Sequence, residues 1–126
     1  MTSFPSYDPE VMGTAAAQFN LGRMYEGGRG LPPDYREAAQ GYQKAADQGD
    51  AAAQFNLSTM YYNGRGVQQD YVETHKWLKL AAARFQESKP ENRERAVKNL
   101  HVVATRMTRA QIWLAQKLAS EWKPHA

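Results

Sequence analysis

The chain has 126 residues, no cysteine and a formal net charge of +3. Its length fits one domain with its own core, while the lack of cysteine excludes disulfides, cysteine-based metal sites and cysteine nucleophiles. The charge is too mild for a dedicated nucleic-acid binder. The sequence contains no run of eighteen apolar residues, so no membrane-spanning helix is predicted.

The first predicted helix starts near Asp8, with Pro9 at its first helical position and Glu10 in its first turn. Small and apolar residues then recur at spacings of three and four, which predicts one buried face. That face consists of Ala17, Leu21, Met24 and Tyr25. The glycine-rich segment Gly27-Gly28-Arg29-Gly30 is predicted to end the helix.

A second helix is predicted to begin at Asp34, which together with Glu37 forms a capping-box pattern. Its predicted apolar side is formed by Tyr35, Ala38, Ala39, Tyr42, Ala45 and Ala46. Gly49 is expected to end this helix in the left-handed conformation.

Residues 15–50 and 51–86 repeat one another, with seventeen identities in thirty-six aligned positions. The second copy therefore predicts helices over about 50–62 and about 70–86, joined by Gly64-Arg65-Gly66. A fixed period of this length indicates stacked helical units, each burying its apolar face against a neighbour. Such stacks expose long surfaces, which favours binding over catalysis.

After Gln86 the period weakens, but a further helix start is predicted at Ser88-Lys89-Pro90-Glu91 and a second capping box at Thr108 and Gln111. The apolar sides of this last pair are Ala96, Val97, Leu100, Val103, Ala104 and Met107, then Ala115, Leu118, Ala119 and Trp122. We predict an all-α solenoid of three antiparallel helical hairpins. It consists of a tail at 1–7, two repeats over 8–86 (about 14–50 and 51–86), and a degenerate capping hairpin at 87–126.

The pattern Ala-x-x-x-Leu-Gly-x-x-Tyr at 17–25, with Gly-x-Gly at 28–30, Asp34 and Ala45-Ala46, resembles the Sel-one-like repeat (SLR) family, a tetratricopeptide-like helical repeat. The resemblance implies a right-handed stack of helix pairs with a scaffold or adaptor role, whose first helices line a concave face. Some relatives carry a cysteine pair in each repeat and bind β-lactam-like ligands. Because this chain has no cysteine, that activity is not transferred to it.

Two positions depart from the family pattern. Ser58 replaces the glycine found at Gly22, so the two hairpins are expected to pack unequally. Gly41 stands where the family usually has a large aromatic residue and where the second copy has Trp77. A glycine inside a helix costs about 1 kcal/mol relative to alanine, and we expect either a neighbour or a cavity to occupy the freed space.

No catalytic, cofactor or metal site is predicted. The Gly-Arg-Gly segments lack the strand and the Lys-Ser/Thr ending of a phosphate loop, and His75, His101 and His125 lack zinc-ligand spacing. A small hydrolase or a β-lactam-binding repeat protein is the alternative from another class. A weak nucleic-acid association through the basic stretch near Arg93–Arg109 is a third interpretation, although glutamates interspersed there indicate a solvated helix face.

We expect the partner, a peptide or a protein domain, to bind side chains opposite the predicted core face of the two first helices. The predicted binding residues are Phe19, Asn20, Arg23, Glu26, Phe55, Asn56, Thr59 and Tyr62. Asparagine amides can bond the backbone of an extended peptide as both donor and acceptor. Packing of Phe19 on Phe55 between adjacent repeats is the competing interpretation of these aromatic residues.

Trp113 lies opposite the apolar stripe of the last predicted helix. It is expected either to pack on the preceding hairpin or to seed a weak homodimer. The N-terminus does not resemble a signal peptide, so a cytoplasmic protein is expected, or a periplasmic one if an export segment has been removed.

Overall fold

The computed structural model describes residues 13–28, 32–85 and 89–125. This part of the chain contains six α-helices and no strand: α1 (Ala15–Gly27), α2 (Tyr35–Asp47), α3 (Ala51–Asn63), α4 (Tyr71–Arg84), α5 (Pro90–Ala104) and α6 (Arg109–Glu121). Extensive contacts join α1 to α2, α2 to α3, and α3 to α4. The last two helices each contact α4 more extensively than they contact one another. The predicted all-α solenoid is confirmed, with α4 as the helix on which the last pair packs.

The second helix of each repeat starts at an aspartate that also ties it to the first helix. The carboxylate of Asp34 accepts a hydrogen bond from the Glu37 N–H at 3.1 Å, and the Asp34 N–H donates to the Tyr25 carbonyl at 3.0 Å. Asp70 makes the equivalent bonds in the second repeat. Because the Asp34 N–H is bonded to α1, the predicted return bond from Glu37 does not form.

The other helix starts agree with the sequence to different degrees. The capping box of Thr108 and Gln111 is formed in both directions, at 3.1 Å and 2.9 Å. Helix α1 begins at Ala15 with Thr14 as its N-cap, and the predicted helix start at Asp8 lies outside the described residues. Gly49 has a φ of 98°, as its predicted helix-ending role requires.

Small side chains dominate the core. The first core cluster joins α2 and α3 to Trp77 of α4, and its members are Ala38, Ala39, Tyr42, Ala45, Ala46, Ala53, Leu57, Met60 and Trp77. The second core cluster joins α4 to α5, and its members are Leu78, Ala81, Ala82, Phe85, Ala96 and Val103. Placement of Met24 and Tyr35 on buried faces is wrong, since they are 39% and 41% exposed.

The Gly64-Arg65-Gly66 segment packs against the start of α2 at Tyr35. Gly66 has a φ of 72°, and a Cβ there would lie 2.1 Å from the Tyr35 carbonyl oxygen, so only glycine fits. The guanidinium of Arg65 lies 5.3 Å from the centre of the Tyr35 ring. The segment thus holds the start of α2 from outside, while Gly30 of the equivalent segment lies outside the described residues.

The two repeats pack differently, as the departures from the family pattern predict. A Cβ on Gly41 would lie 2.8 Å from the Gln18 carbonyl oxygen, and one on Gly22 would lie 2.8 Å from the Tyr42 ring. The backbone of α1 therefore occupies the space left by the missing aromatic at Gly41. In the second repeat the equivalent residues are Ser58 and Trp77, both buried.

The residues after α6 contact both repeats. The indole rings of Trp122 and Trp77 meet edge to face with centroids 6.1 Å apart, and Arg84 lies 5.0 Å from the Trp122 ring centre. The His125 N–H donates to the Asp47 carbonyl at the end of α2, at 2.7 Å. This segment therefore packs against the first core cluster and joins the last helix to both repeats.

We expect Trp122→Ala to lower the free energy of unfolding by about 2–4 kcal/mol, because it removes a ring packed on the first core cluster. Urea unfolding followed by circular dichroism measures the change. Trp113→Ala, on the exposed side of α6, is the matched control and should shift stability by less than about 0.5 kcal/mol. Equal losses in the two variants would contradict this role for Trp122.

Candidate binding face

The side of the stack formed by α1, α3 and α5, here called the first-helix face, carries grooves between its helices. The first groove lies between α1 and α3 and has a volume of about 480 Å³. Its lining residues are Asn20, Arg23, Met24, Glu26, Gly27, Tyr42 and Asn56. Four of the eight predicted binding residues are therefore brought together in one groove.

The second groove lies between α3 and α5 and consists of two hollows of about 160 Å³ each. One hollow is lined by Ala52, Phe55, Asn56, Phe85, Asn92 and Arg95. The other is lined by Ser58, Thr59, Tyr62, Thr74, Leu78, Asn99 and Val102. Asn56 borders both grooves, so the remaining predicted residues of the second repeat continue the same surface.

Phe19 is the predicted residue that lines neither groove. Its ring centre lies 5.7 Å from that of Tyr42 and it packs against the first core cluster, whereas Phe55 packs against the second. The stacking partner of Phe19 is thus the second helix of its own repeat rather than Phe55. Both rings are half-buried, so they stabilise the core clusters and also lie at the edge of the first-helix face.

A hydrogen-bonded group at the base of the first groove links three helices. The Tyr42 hydroxyl donates to Glu26 Oε1 at 2.5 Å, joining α2 to α1. Burial raises the pKa of Tyr42 most, and the hydrogen bond and charge of Glu26 raise it further. A hydrogen bond from Asn56 of α3 and the charge of Arg23 lower this pKa. The phenol therefore stays protonated and serves as a donor to Glu26.

The base of the second groove is more apolar. Leu78 occupies the position of Tyr42, and Tyr62 replaces Glu26. The Tyr62 ring lies 5.6 Å from that of Tyr71, and the Arg106 guanidinium lies 6.0 Å from its centre. The two grooves therefore share the Asn56 border but differ in chemistry at their bases.

Sequence reasoning missed the contribution of α5, which places Asn92, Arg95, Asn99 and Val102 in the second groove. A signal was present, because Ala96-x-x-Asn99-Leu100 of α5 repeats the Ala53-x-x-Asn56-Leu57 pattern of α3 forty-three residues later. The degenerate consensus after Gln86 concealed this continuation. The third hairpin thus lines the candidate binding face as well as capping the stack.

The remaining candidates lie outside the grooves. His75 is buried, and its pKa is lowered by burial and then by the charge of Lys79, while His101 and His125 are exposed. No group of three or more metal-binding side chains occurs within the described residues, and none of the helices described there could span a membrane. Trp113 is 62% exposed, so its predicted packing on the preceding hairpin is wrong.

Comparison with known proteins identifies the repeat. The family model for the Sel1 repeat matches residues 15–50 and 51–84. The crystal structure of a protective antigen of uropathogenic Escherichia coli strains, displaying an SLR fold, has a TM-score of 0.78 and 33% identity, covering 90% of this chain and 23% of that chain. A Sel1 repeat protein from Oxalobacter formigenes has a TM-score of 0.68 and 28% identity, covering 94% and 48%. The chain thus spans less than half of either protein, and no curated protein matches it.

The raised pKa of Tyr42 predicts a loss of stability at alkaline pH. The unfolded phenol ionises near pH 10, whereas the folded phenol keeps its proton, so the unfolded state binds fewer protons above that pH. The free energy of unfolding must therefore fall as pH rises through this range. We expect Tyr42→Phe to reduce the fall between about pH 9 and about pH 11.

Urea unfolding at each pH, followed by circular dichroism, measures the slope. Tyr35→Phe, at an exposed ring, controls for the loss of one phenol. Burial also raises the pKa of Tyr61, so some alkaline slope should remain. An alkaline slope identical in Tyr42→Phe and the unmodified protein would contradict the prediction.

Proposed function

Because the chain belongs to the Sel1 repeat family, whose proteins generally mediate protein–protein interaction, we propose that it is an interaction module. In this proposal an extended peptide, or an extended segment of a partner domain, binds along the first-helix face. The observation that carries the proposal is the continuity of the two grooves, which meet at Asn56 and run from α1 to α5.

The dimensions of the surface suit an extended chain. Packed helices are about 10 Å apart, and an extended peptide advances roughly 3.3 Å per residue. Each repeat would therefore meet about three peptide residues. Asn20 and Asn56 recur at the same place in successive repeats, and a carboxamide can both donate to a peptide carbonyl and accept from a peptide N–H.

The chemistry of the grooves supports a non-catalytic role, in keeping with a family that is generally non-catalytic. The carboxylate among the lining residues, Glu26, accepts a hydrogen bond from a phenol that stays protonated. A hydrolase needs a nucleophile within reach of a base. Neither groove is lined by a histidine that could serve as that base.

The surface is tested with peptides selected by the protein from a phage-displayed library of random twelve-residue sequences. We expect Asn56→Ala and Phe55→Ala/Asn56→Ala to weaken a selected peptide at least tenfold, because both side chains border the grooves. Fluorescence anisotropy measures the dissociation constants.

Gln40→Ala/Gln43→Ala is the control, because it removes two carboxamides from a hollow of about 450 Å³ on the α2 side of the stack. Its binding should stay within twofold of the unmodified protein. Circular dichroism establishes that each variant is folded, and the single Asn56 variant carries the test if loss of Phe55 unfolds the protein. Unchanged binding in a folded Asn56→Ala variant would remove this surface from the proposal.

A weak homodimer through α6 is a separate part of the proposal. Trp113 and Leu114 are both exposed, and the Lys117 Nζ lies 5.4 Å from the centre of the Trp113 ring. Tryptophan is enriched at protein interfaces, where its large ring is covered by a partner. We expect Trp113→Ala to lower the concentration-dependent increase in mass seen by light scattering. A variant with the mass of the unmodified protein at every concentration would count against this dimer.

A further inference from the structure

We propose that the occupant of the first-helix face is an acidic extended peptide. Its backbone lies along Asn20, Asn56 and Asn92, and its carboxylates pair with Arg23 and Arg95 at the two ends. This inference rests on the proposed peptide-binding function and adds the chemistry of the partner. It also makes the third hairpin part of the recognition surface.

The charges along the grooves favour an anion. Arg23 lines the first groove and Arg95 the second, and both side chains are exposed. The one acidic lining residue, Glu26, is hydrogen-bonded to the Tyr42 hydroxyl, which partly offsets its charge. Helix α3, which lies between the two arginines, contains no charged residue along its length. No acidic side chain at the centre of the surface would therefore repel an acidic peptide.

Both arginines are available to a ligand. Among the described residues the one ion pair joins Lys76 to Glu73. Neither Arg23 nor Arg95 is therefore paired with a described carboxylate. The Arg23 guanidinium lies 5.9 Å from the centre of the Phe19 ring. A planar guanidinium resting on an aromatic face keeps its N–H donors free for a carboxylate, and Arg–carboxylate pairs are frequently bidentate.

The distance between α1 and α5 sets the expected spacing of the acidic residues. Arg23 is the ninth residue of α1 and Arg95 the sixth residue of α5, and the uncharged α3 lies between them. Two helix layers of about 10 Å each separate α1 from α5 by roughly 20 Å. An extended peptide covers that distance in about six residues. Because the two arginines lie at different heights along their helices, we expect two Asp or Glu residues six or more positions apart, with neutral residues between them opposite α3.

The test compares peptide selection from the same twelve-residue phage library by three forms of the protein. The unmodified protein should enrich peptides with two acidic residues at this spacing, and Arg23→Gln/Arg95→Gln should lose the enrichment. Arg36→Gln/Lys44→Gln is the matched control, because it removes the same charge from exposed side chains of the α2-side hollow. It should keep the enrichment.

Binding of one selected peptide, measured by fluorescence anisotropy, supplies the magnitude. We expect Arg23→Gln/Arg95→Gln to weaken it at least tenfold and the control pair to weaken it by less than twofold. Replacement of the two peptide carboxylates by amides should cause a loss similar to that in the double arginine variant. Circular dichroism confirms that the variants, all at exposed positions, remain folded.

Three outcomes overturn the inference. The selected peptides could show no preference for acidic residues and yet lose binding to the Asn56→Ala variant. That outcome would support the proposed peptide-binding function and overturn the inference that the partner is acidic. Selection of no peptide would remove both. A fluorescein-labelled oligothymidylate that binds more tightly than the acidic peptide, and depends on the same two arginines, would reassign the face to single-stranded nucleic acid.

Discussion

The fold depends on the burial of α2 and α4 between neighbouring helices. The alanines of α2 pack between α1 and α3, while α4 contacts α3, α5 and α6. Small side chains let these helices approach closely, and at Gly22 and Gly41 the approach leaves no room for a Cβ. The second helices therefore form the centre of the stack. Neither thirty-six-residue unit can cover its own apolar side alone, so the units must stack.

The same packing creates the first-helix face. Because the second helices occupy the positions between successive units, α1, α3 and α5 are separated by grooves. Several residues common to both copies serve structure, among them the capping aspartates and the half-buried Phe19 and Phe55. Residues that differ between copies, such as Arg23 and Thr59, give the two grooves their separate chemistry.

Prediction from sequence succeeded where a local pattern has one structural solution. The capping aspartates, the left-handed Gly49 and the core alanines of α2 follow from backbone hydrogen bonding and helical periodicity. Prediction failed where burial depends on a distant segment. Met24 lies on the predicted apolar arc but is exposed, because the border of an arc cannot be read from spacing alone. Asn92 and Arg95 were missed because they lie in a unit without the consensus.

The sequence alone determined the helices, the thirty-six-residue period and seven of the residues that line the first-helix face, because capping and periodicity are properties of neighbouring residues along the chain. Only the tertiary structure shows that α3, α5 and α6 all pack against α4. It also showed that the chain after α6 returns to Asp47 and that the Trp113 ring faces outward. These features depend on contacts between residues far apart in sequence, which local periodicity does not encode.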